Sequence, residues 1–191
     1  LCRYIAGWLI AEGACIMYGI SRDPLSGQMN RCFNMNLIHY ETTATFAGLV
    51  ESFNITTNAF AMRYVFKRLK WMHCKMASQF VTLIWFALWH GFALGYFNTF
   101  MLELLILKVE KDVAMMVIKY RTRYQRFNHL LNRCATHYVL YILQRTYVLC
   151  MFSYALTSFV FLDDWTSILS DLHYIGHIMY LLWLPLSLII A

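Results

Sequence analysis

The sequence predicts an all-α, multi-span bundle of transmembrane helices, and two observations carry that prediction. Of the 191 residues, 60% are hydrophobic and only 14% are charged, and the mean hydropathy is +0.50. A soluble domain usually has about a quarter of its residues charged, so polar side chains are too few here to coat a globule. The second observation is a set of apolar runs near the length that a helix needs to cross a bilayer, about 20 residues.

Four apolar runs predict about four membrane spans, accompanied by interfacial amphipathic helices. They cover residues 77–107, 136–162, 172–191 and 4–20, and none carries more than one formal charge. The run 77–107 is longer than one crossing requires, so its helix must tilt, bend or protrude from the membrane. Because the chain begins with Leu1 and ends inside its last apolar run, we expect residues 1–191 to form a single membrane domain of a longer protein.

The charges and the cysteines argue against two classes of function. The net charge is +6, but the basic residues flank the apolar runs as they do in membrane proteins, so no nucleic-acid partner is predicted. The six cysteines lie far apart and form no C-x-x-C pair, so we predict neither a metal site nor a disulfide framework. The sequence has no Walker loop and no G-x-G-x-x-G motif, and no bound cofactor is predicted. His173 and His177 have a spacing that can bind zinc on a helix, but without a third ligand nearby a structural pair is favoured.

The polar segments between the apolar runs predict shorter elements. Residues 29–52 mix charged, polar and apolar side chains and are predicted to be irregular backbone or short helices. Residues 57–72 have a helical period, with aromatic side chains on one face and Arg63 and Lys67 on another, which predicts an amphipathic helix at the membrane surface. These basic side chains, together with Arg68, can hold phosphate groups or contact anionic lipid headgroups.

His90 is the first candidate for chemistry, because it lies in the longest apolar run. An ionisable side chain inside a span is rare and is by default a functional hypothesis. Desolvation opposes the charged form of histidine, and a neutral imidazole keeps a nitrogen free to accept a proton, as a general base requires. A structural histidine bonded to a neighbouring helix is the equal alternative at this point.

Small residues recur every four positions beside His90 and predict a stripe on one helix. They are Ala87, Gly91, Gly95 and Thr99. Such a stripe favours close packing of helices, and the alternative is a groove wide enough for a lipid chain.

Asn54 is the second candidate, just before the predicted amphipathic helix. An asparagine amide can hydrogen-bond to a carbonyl oxygen or orient a hydroxyl nucleophile. Asn54, Ile55 and Thr56 also form an N-glycosylation sequon, and that alternative stays open.

Three stretches of the chain carry a family resemblance. They are Phe53-Asn-Ile-Thr-Thr-Asn58, Arg63-Tyr-Val-Phe-Lys-Arg-Leu-Lys70 and Ala87-Leu-Trp-His-Gly91 with Gly95-Tyr96. Ile10-Ala-Glu-Gly13 and Tyr174-Ile-Gly-His-Ile178 extend the likeness over nearly the whole chain. Together they resemble the membrane-bound O-acyltransferase family, in particular its lysophosphatidylcholine acyltransferase branch. The resemblance implies a multi-helix bundle enclosing a tunnel in the endoplasmic reticulum membrane, with this chain as its C-terminal part.

The resemblance also implies an activity and the residues that carry it. A fatty acyl group would pass from acyl-CoA, a co-substrate, to the free hydroxyl of a lysophospholipid, with membrane lipid as a further partner. His90 is expected to be the catalytic histidine and Asn54 the second active-site residue, with Asn58 as the weaker alternative. The expected substrate contacts are Arg63, Lys67, Arg68, Asn58 and Trp89.

Two alternatives to this function are kept. Within the family, the acceptor could be lysophosphatidylserine, lysophosphatidylinositol or a protein. Outside it, Glu12, His90 and Arg145 are ionisable residues in apolar runs that would also suit an ion path, so a transporter or a non-catalytic membrane scaffold is possible. The sequence leaves the oligomeric state open.

Overall fold

A computed structural model describes residues 2–124, 131 and 134–190. Within these residues the regular elements are helices, apart from two isolated β-bridges, and this confirms the all-α class. The chain divides into two compact units. The first comprises Leu1–Thr43 and Ala47–Trp71, and the second comprises Ala44–Phe46 and Met72–Ala191. The single membrane domain over residues 1–191 stays a prediction.

The first unit consists mostly of short helices. They are α1 (Cys2–Met17), α2 (Leu37–Thr42), α3 (Phe46–Ser52), α4 (Ile55–Tyr64) and a 3₁₀ helix (Phe66–Met72). Two of these helices cross the unit boundary, because Phe46 of α3 and Met72 of the 3₁₀ helix belong to the second unit. The short α2 and α3 confirm the prediction for residues 29–52. Trp8 of α1 packs edge-on against Phe53, with ring centroids 4.7 Å apart, and so ties the apolar first helix to the segment before α4.

The amphipathic helix predicted over residues 57–72 is wrong in its extent, because the helix breaks at Val65. The amide of Val65 still donates to the carbonyl of Ala61, but Arg68 donates three residues back to Val65, which is the tighter 3₁₀ pattern. Tyr64, Val65 and Phe66 are aromatic or β-branched, and such side chains lose rotamer freedom against the preceding helical turn. The run therefore forms two short helical pieces.

The second unit is built around one long helix. Its helices are α5 (Lys75–His90), α6 (Leu94–Arg123), α7 (Cys134–Val160), α8 (Trp165–Asp171) and α9 (Ile175–Ile190). The long α6 packs against α5, α7 and α9, and α7 also contacts α8. Fully buried side chains such as Leu102 and Ile106 of α6 and Val148 of α7 form its apolar core.

The apolar run 77–107 forms a helical hairpin rather than one helix. The α5 helix ends at His90, Gly91 has a φ of 137°, and α6 begins at Leu94. Residues with a side chain rarely adopt that φ, so glycine allows the chain to turn at this point. The expectation that an overlong run must bend is confirmed, whereas a continuous helix through His90 is wrong.

One of the described helices is long and apolar enough to cross a membrane. It is the segment Thr136–Val160 of α7, of 25 residues, and Ile175–Ser187 of α9 is a shorter apolar helix. The structure thus supports an all-helical protein with an apolar span, while the number of four spans stays a prediction.

The small residues Gly95 and Thr99 allow α6 and α7 to approach closely. A Cβ on Gly95 would collide with the backbone carbonyl oxygen of Ser158. One turn further on, the hydroxyl of Thr99 lies 3.0 Å from the carbonyl oxygen of Ala155 and donates a hydrogen bond across the interface. The packing interpretation of these two residues is confirmed, although Gly91 lies outside the helix.

We expect the variant Gly95→Ala to be destabilised by about 1–3 kcal/mol, because the added methyl group must push α7 away. The midpoint of thermal unfolding in detergent is the measurement. The control is Gly7→Ala in α1, where a Cβ would meet nothing within 4 Å and helix propensity favours alanine. An unfolding midpoint of Gly95→Ala equal to or above that of the unsubstituted chain would contradict the close approach.

Candidate active site

His90 lies at the turn of the α5–α6 hairpin, where it is the last residue of α5. The amide of Gly91 donates to the carbonyls of Ala87 and Leu88, which closes the helix directly behind the histidine. The hairpin thus fixes the backbone of His90, and the residue is half-buried.

Aromatic rings surround the imidazole of His90. Phe100 of α6 stacks on it at 5.6 Å between centroids, and Phe159 of α7 meets it edge-on at 4.9 Å. Tyr96 lies at 5.6 Å and Trp89 at 4.8 Å. Helices α5, α6 and α7 each contribute to these ring contacts, so the position of the imidazole depends on how the three helices pack.

The nitrogens of the His90 imidazole are available to a ligand. Within the described part of the chain, His90 makes ring contacts but neither nitrogen has a hydrogen-bond partner. Apolar rings favour the neutral imidazole, which has one nitrogen with a lone pair and one N–H. Such a group can accept a proton from a hydroxyl and return it to a leaving group, which is general acid–base chemistry.

A second histidine, His177, organises a polar network in the second unit. The sequence predicted it to be half of a structural pair with His173. His177 of α9 lies with Nδ1 2.7 Å from the hydroxyl of Tyr154 and with Nε2 2.9 Å from Oδ1 of Asn98. The amide nitrogen of Asn98 donates to the hydroxyl of Ser158 at 2.7 Å. The network therefore links α6, α7 and α9 around one imidazole.

This network ties together two of the helices that carry the aromatic rings around His90. Asn98 lies on α6, which also carries Tyr96 and Phe100, and Ser158 precedes Phe159 on α7. A Cβ on Gly176 of α9 would collide with the ring of Tyr154, which shows how closely α9 approaches α7. The signal available in the sequence was the pair of polar residues, Asn98 and His177, in otherwise apolar runs, since buried polar groups require partners.

The expected helical spacing of His173 and His177 is wrong. Helix α9 begins at Ile175, and His173 precedes it with a φ of 51°. The two side chains therefore do not share one helical face, and His177 alone belongs to the network.

Asn54 has an unusual backbone conformation in the first unit. It has φ 54° and ψ 43°, the left-handed region, and it precedes the first residue of α4 without capping that helix through its side chain. Asparagine tolerates this region better than most residues, and such strain is concentrated at functional sites. Among the described residues the amide of Asn54 has no hydrogen-bond partner, so its donor and acceptor are available to a ligand.

Asn58 is used differently from Asn54. Its amide nitrogen donates to the carbonyl oxygens of Val50 and Phe53, each at 3.0 Å. These bonds tie the end of α3 to the first turns of α4. The geometry gives Asn58 a structural task beside the substrate contact expected from the sequence, which stays a prediction.

The predicted substrate-binding cations lie together at the surface of the first unit. Arg63 is in the last turn of α4, and Lys67 and Arg68 are in the 3₁₀ helix, and all three are exposed. Trp89, which precedes His90 in the second unit, is 59% exposed. The first unit thus contains Asn54, Asn58 and the three cations, and the second contains Trp89 and His90.

The model of the membrane-bound O-acyltransferase family matches residues 1–171, and the chain belongs to this family.

Curated relatives match nearly the whole chain. Lysophospholipid acyltransferase 5 of Bos taurus is 35% identical over 191 residues, covering 95% of this chain and 38% of the relative. The Homo sapiens protein of the same name is 34% identical over 191 residues, with the same coverage of both chains. The Drosophila melanogaster protein is 32% identical over 190 residues, covering 96% of this chain and 38% of the relative. The chain therefore spans 38% of the length of these relatives.

We expect His177→Leu to destabilise the protein by about 1–3 kcal/mol, because it leaves the Tyr154 hydroxyl and the Asn98 carbonyl oxygen without their partner. Thermal unfolding in detergent measures this change. His137→Leu on the exposed side of α7 is the matched control and should be close to neutral. Equal unfolding midpoints for the two variants would show that the network contributes nothing to stability.

Proposed function

We propose that this chain carries the acyl-transfer chemistry of an enzyme that moves a fatty acyl group from acyl-CoA to the free hydroxyl of a lysophospholipid, with lysophosphatidylcholine as the first acceptor to test. The observation that carries the proposal is the imidazole of His90, which lies among the rings of α5, α6 and α7 and whose nitrogens have no hydrogen-bond partner within the described residues. Family membership and relatives named lysophospholipid acyltransferase support it.

In the proposed reaction His90 acts as general base and then as general acid. Its neutral nitrogen takes the proton from the glycerol hydroxyl, and the oxygen attacks the carbonyl carbon of the thioester. The carbon–sulfur bond breaks, the new ester forms, and the proton held by the imidazole passes to the CoA sulfur. No covalent enzyme intermediate and no metal ion enter this scheme.

The proposal gives the other predicted residues supporting roles. The amide of Asn54 donates to the thioester carbonyl oxygen, where negative charge develops in the transition state. Arg63, Lys67 and Arg68 hold phosphates of CoA, for which their exposure and charge are suitable. Trp89 contacts the substrate beside His90, and Asn58 supports the position of Asn54.

The proposed location is the endoplasmic reticulum membrane, with the protein crossing it several times. The apolar helix Thr136–Val160 and the family's membrane attachment support insertion into a bilayer. A substrate with one acyl chain would reach the site from the lipid phase, and acyl-CoA would reach it with its charged end in water.

The variant His90→Ala, made in the protein expressed from its complete coding sequence, should abolish acyl transfer while keeping expression and folding. The imidazole loses ring contacts but no hydrogen bond within the described residues, so we expect a stability loss of about 1 kcal/mol, too small to explain a complete loss of turnover. Turnover of acyl-CoA with lysophosphatidylcholine, followed by product mass, is the measurement. His137→Ala is the control that should retain turnover, and full activity of His90→Ala would refute the assigned base.

The variant Asn54→Gly should lose acyl transfer without losing stability, since glycine adopts the left-handed conformation more easily than asparagine. Asn54→Ala should lose both, with a stability cost of about 1 kcal/mol. Thr56→Ala keeps the amide of Asn54 but removes the glycosylation sequon, so it should remain active. Turnover by Asn54→Gly would exclude a catalytic amide. Inactivity of Thr56→Ala, together with a mass shift on endoglycosidase treatment of the unsubstituted protein, would favour glycosylation instead.

The acceptor is identified with a panel of lysophospholipids assayed against one acyl-CoA. Preference for lysophosphatidylcholine supports the proposed acceptor, and preference for the serine or inositol headgroup corrects it within the same chemistry. Turnover on none of them would favour a protein acceptor.

A further inference from the structure

A cleft with three lysines lies in the second unit, between the start of α5 and the middle of α6. Its volume is about 310 Å³. Lys75 of α5 and Lys108 and Lys111 of α6 line it together with one carboxylate, Asp112. Counting these four side chains, the formal charge of the cleft is +2, three lysines against one aspartate.

The carboxylate in the cleft is already occupied by protein groups. Lys108 Nζ donates to Asp112 Oδ2 at 2.7 Å, and the indole N–H of Trp183 in α9 donates to the same oxygen at 3.3 Å. Across the described part of the chain, neither Lys75 nor Lys111 has an ion-pair partner. Two lysine charges therefore remain to be balanced, while the third is held in place beside them.

Apart from its charged groups and Gln79, the lining of the cleft is apolar. Met76 of α5 and Leu104 and Leu107 of α6 contribute hydrocarbon surface, and Leu104 is buried. The first turn of α5, at Lys75, also presents backbone N–H groups, because Cys74 provides no side-chain cap. Cationic side chains and a helix N-terminus favour an anion, and the adjoining apolar surface favours a hydrocarbon portion of the same ligand.

We propose that this cleft binds the phosphate of an amphiphilic ligand, with Lys75 and Lys111 on the phosphate oxygens. The shared chemistry has two sources, the headgroup of an anionic phospholipid or a phosphate group of CoA, and either contact would be additional to those proposed for Arg63, Lys67 and Arg68. His90 ends the helix that Lys75 begins, so about 22 Å of α5 separates the cleft from the imidazole. The cleft is therefore a binding site distinct from the reacting groups, and its existence does not depend on the proposed acyl transfer.

The test is direct binding by the protein expressed from its complete coding sequence and held in nanodiscs of neutral phosphatidylcholine. One arm titrates non-acylated CoA. The other compares nanodiscs with and without phosphatidylglycerol and counts bound lipid by native mass spectrometry. The double variant Lys75→Gln/Lys111→Gln should weaken binding of one probe by about tenfold, and added salt should weaken binding to the unsubstituted protein. If the double variant binds CoA more weakly, the phosphate that the cleft recognises is that of the nucleotide. If the double variant retains less phosphatidylglycerol, the recognised phosphate is that of the lipid headgroup.

Two control variants separate a site from general electrostatics and from damage to the fold. Arg123→Gln removes an exposed charge from the same helix α6 and should leave the binding of both CoA and phosphatidylglycerol unchanged. Asp112→Asn keeps an acceptor for Trp183 but releases the charge of Lys108, so it should tighten binding severalfold.

Four results would overturn the proposal: no effect of the double variant in either arm, an equal loss with Arg123→Gln, no salt dependence, or weaker binding by Asp112→Asn. The titrations are repeated in His90→Ala, where retained binding without turnover separates this site from the catalytic proposal.

Discussion

The close approach of α6, α7 and α9 is the constraint on which the rest of the second unit depends. These apolar helices contain polar side chains that must find partners inside the unit, and His177, Tyr154, Asn98 and Ser158 satisfy one another. Hydrogen bonds of 2.7 to 2.9 Å across three helices require short distances between their axes. Glycine at the contact points provides those distances, because any larger side chain would strike the facing helix.

The environment of His90 follows from that packing. Its ring partners Phe100 and Phe159 lie on the same two helices as the network residues Asn98 and Ser158, so the packing of α6 against α7 that pairs the polar groups also positions these rings. His90 differs from His177 in one respect that decides their roles. Both nitrogens of His177 are hydrogen-bonded to protein groups, whereas those of His90 have no hydrogen-bond partner among the described residues. An imidazole with both nitrogens occupied cannot take a proton from a substrate, so His90 is the one of the two that is suited to acid–base chemistry.

The helical class could be predicted from the sequence because it depends on local composition. The candidate residues came from an ionisable side chain in an apolar run and from the family resemblance, and their roles stay predictions. Sequence reasoning missed the turn at Gly91, because glycine in an apolar run is compatible with a helix until a positive φ is observed. It also missed the division of residues 57–72 into two helical pieces. Each of Tyr64, Val65 and Phe66 has only a slightly lowered helix propensity, and the break depends on their combination. The lysine cleft could not be predicted from the sequence, because Lys75 and Lys111 line the same cleft only when the hairpin folds α5 back along α6.

The hairpin also explains why the charged and the catalytic candidates of the second unit lie apart. Lys75 begins α5 and lines the cleft together with the lysines of α6. His90 ends the same helix, where aromatic rings from three helices favour the neutral form of its imidazole. The two ends of α5 therefore carry the two kinds of chemistry, about 22 Å apart. The short turn after His90 keeps α6 alongside α5, so that α6 completes both the cleft and the aromatic walls.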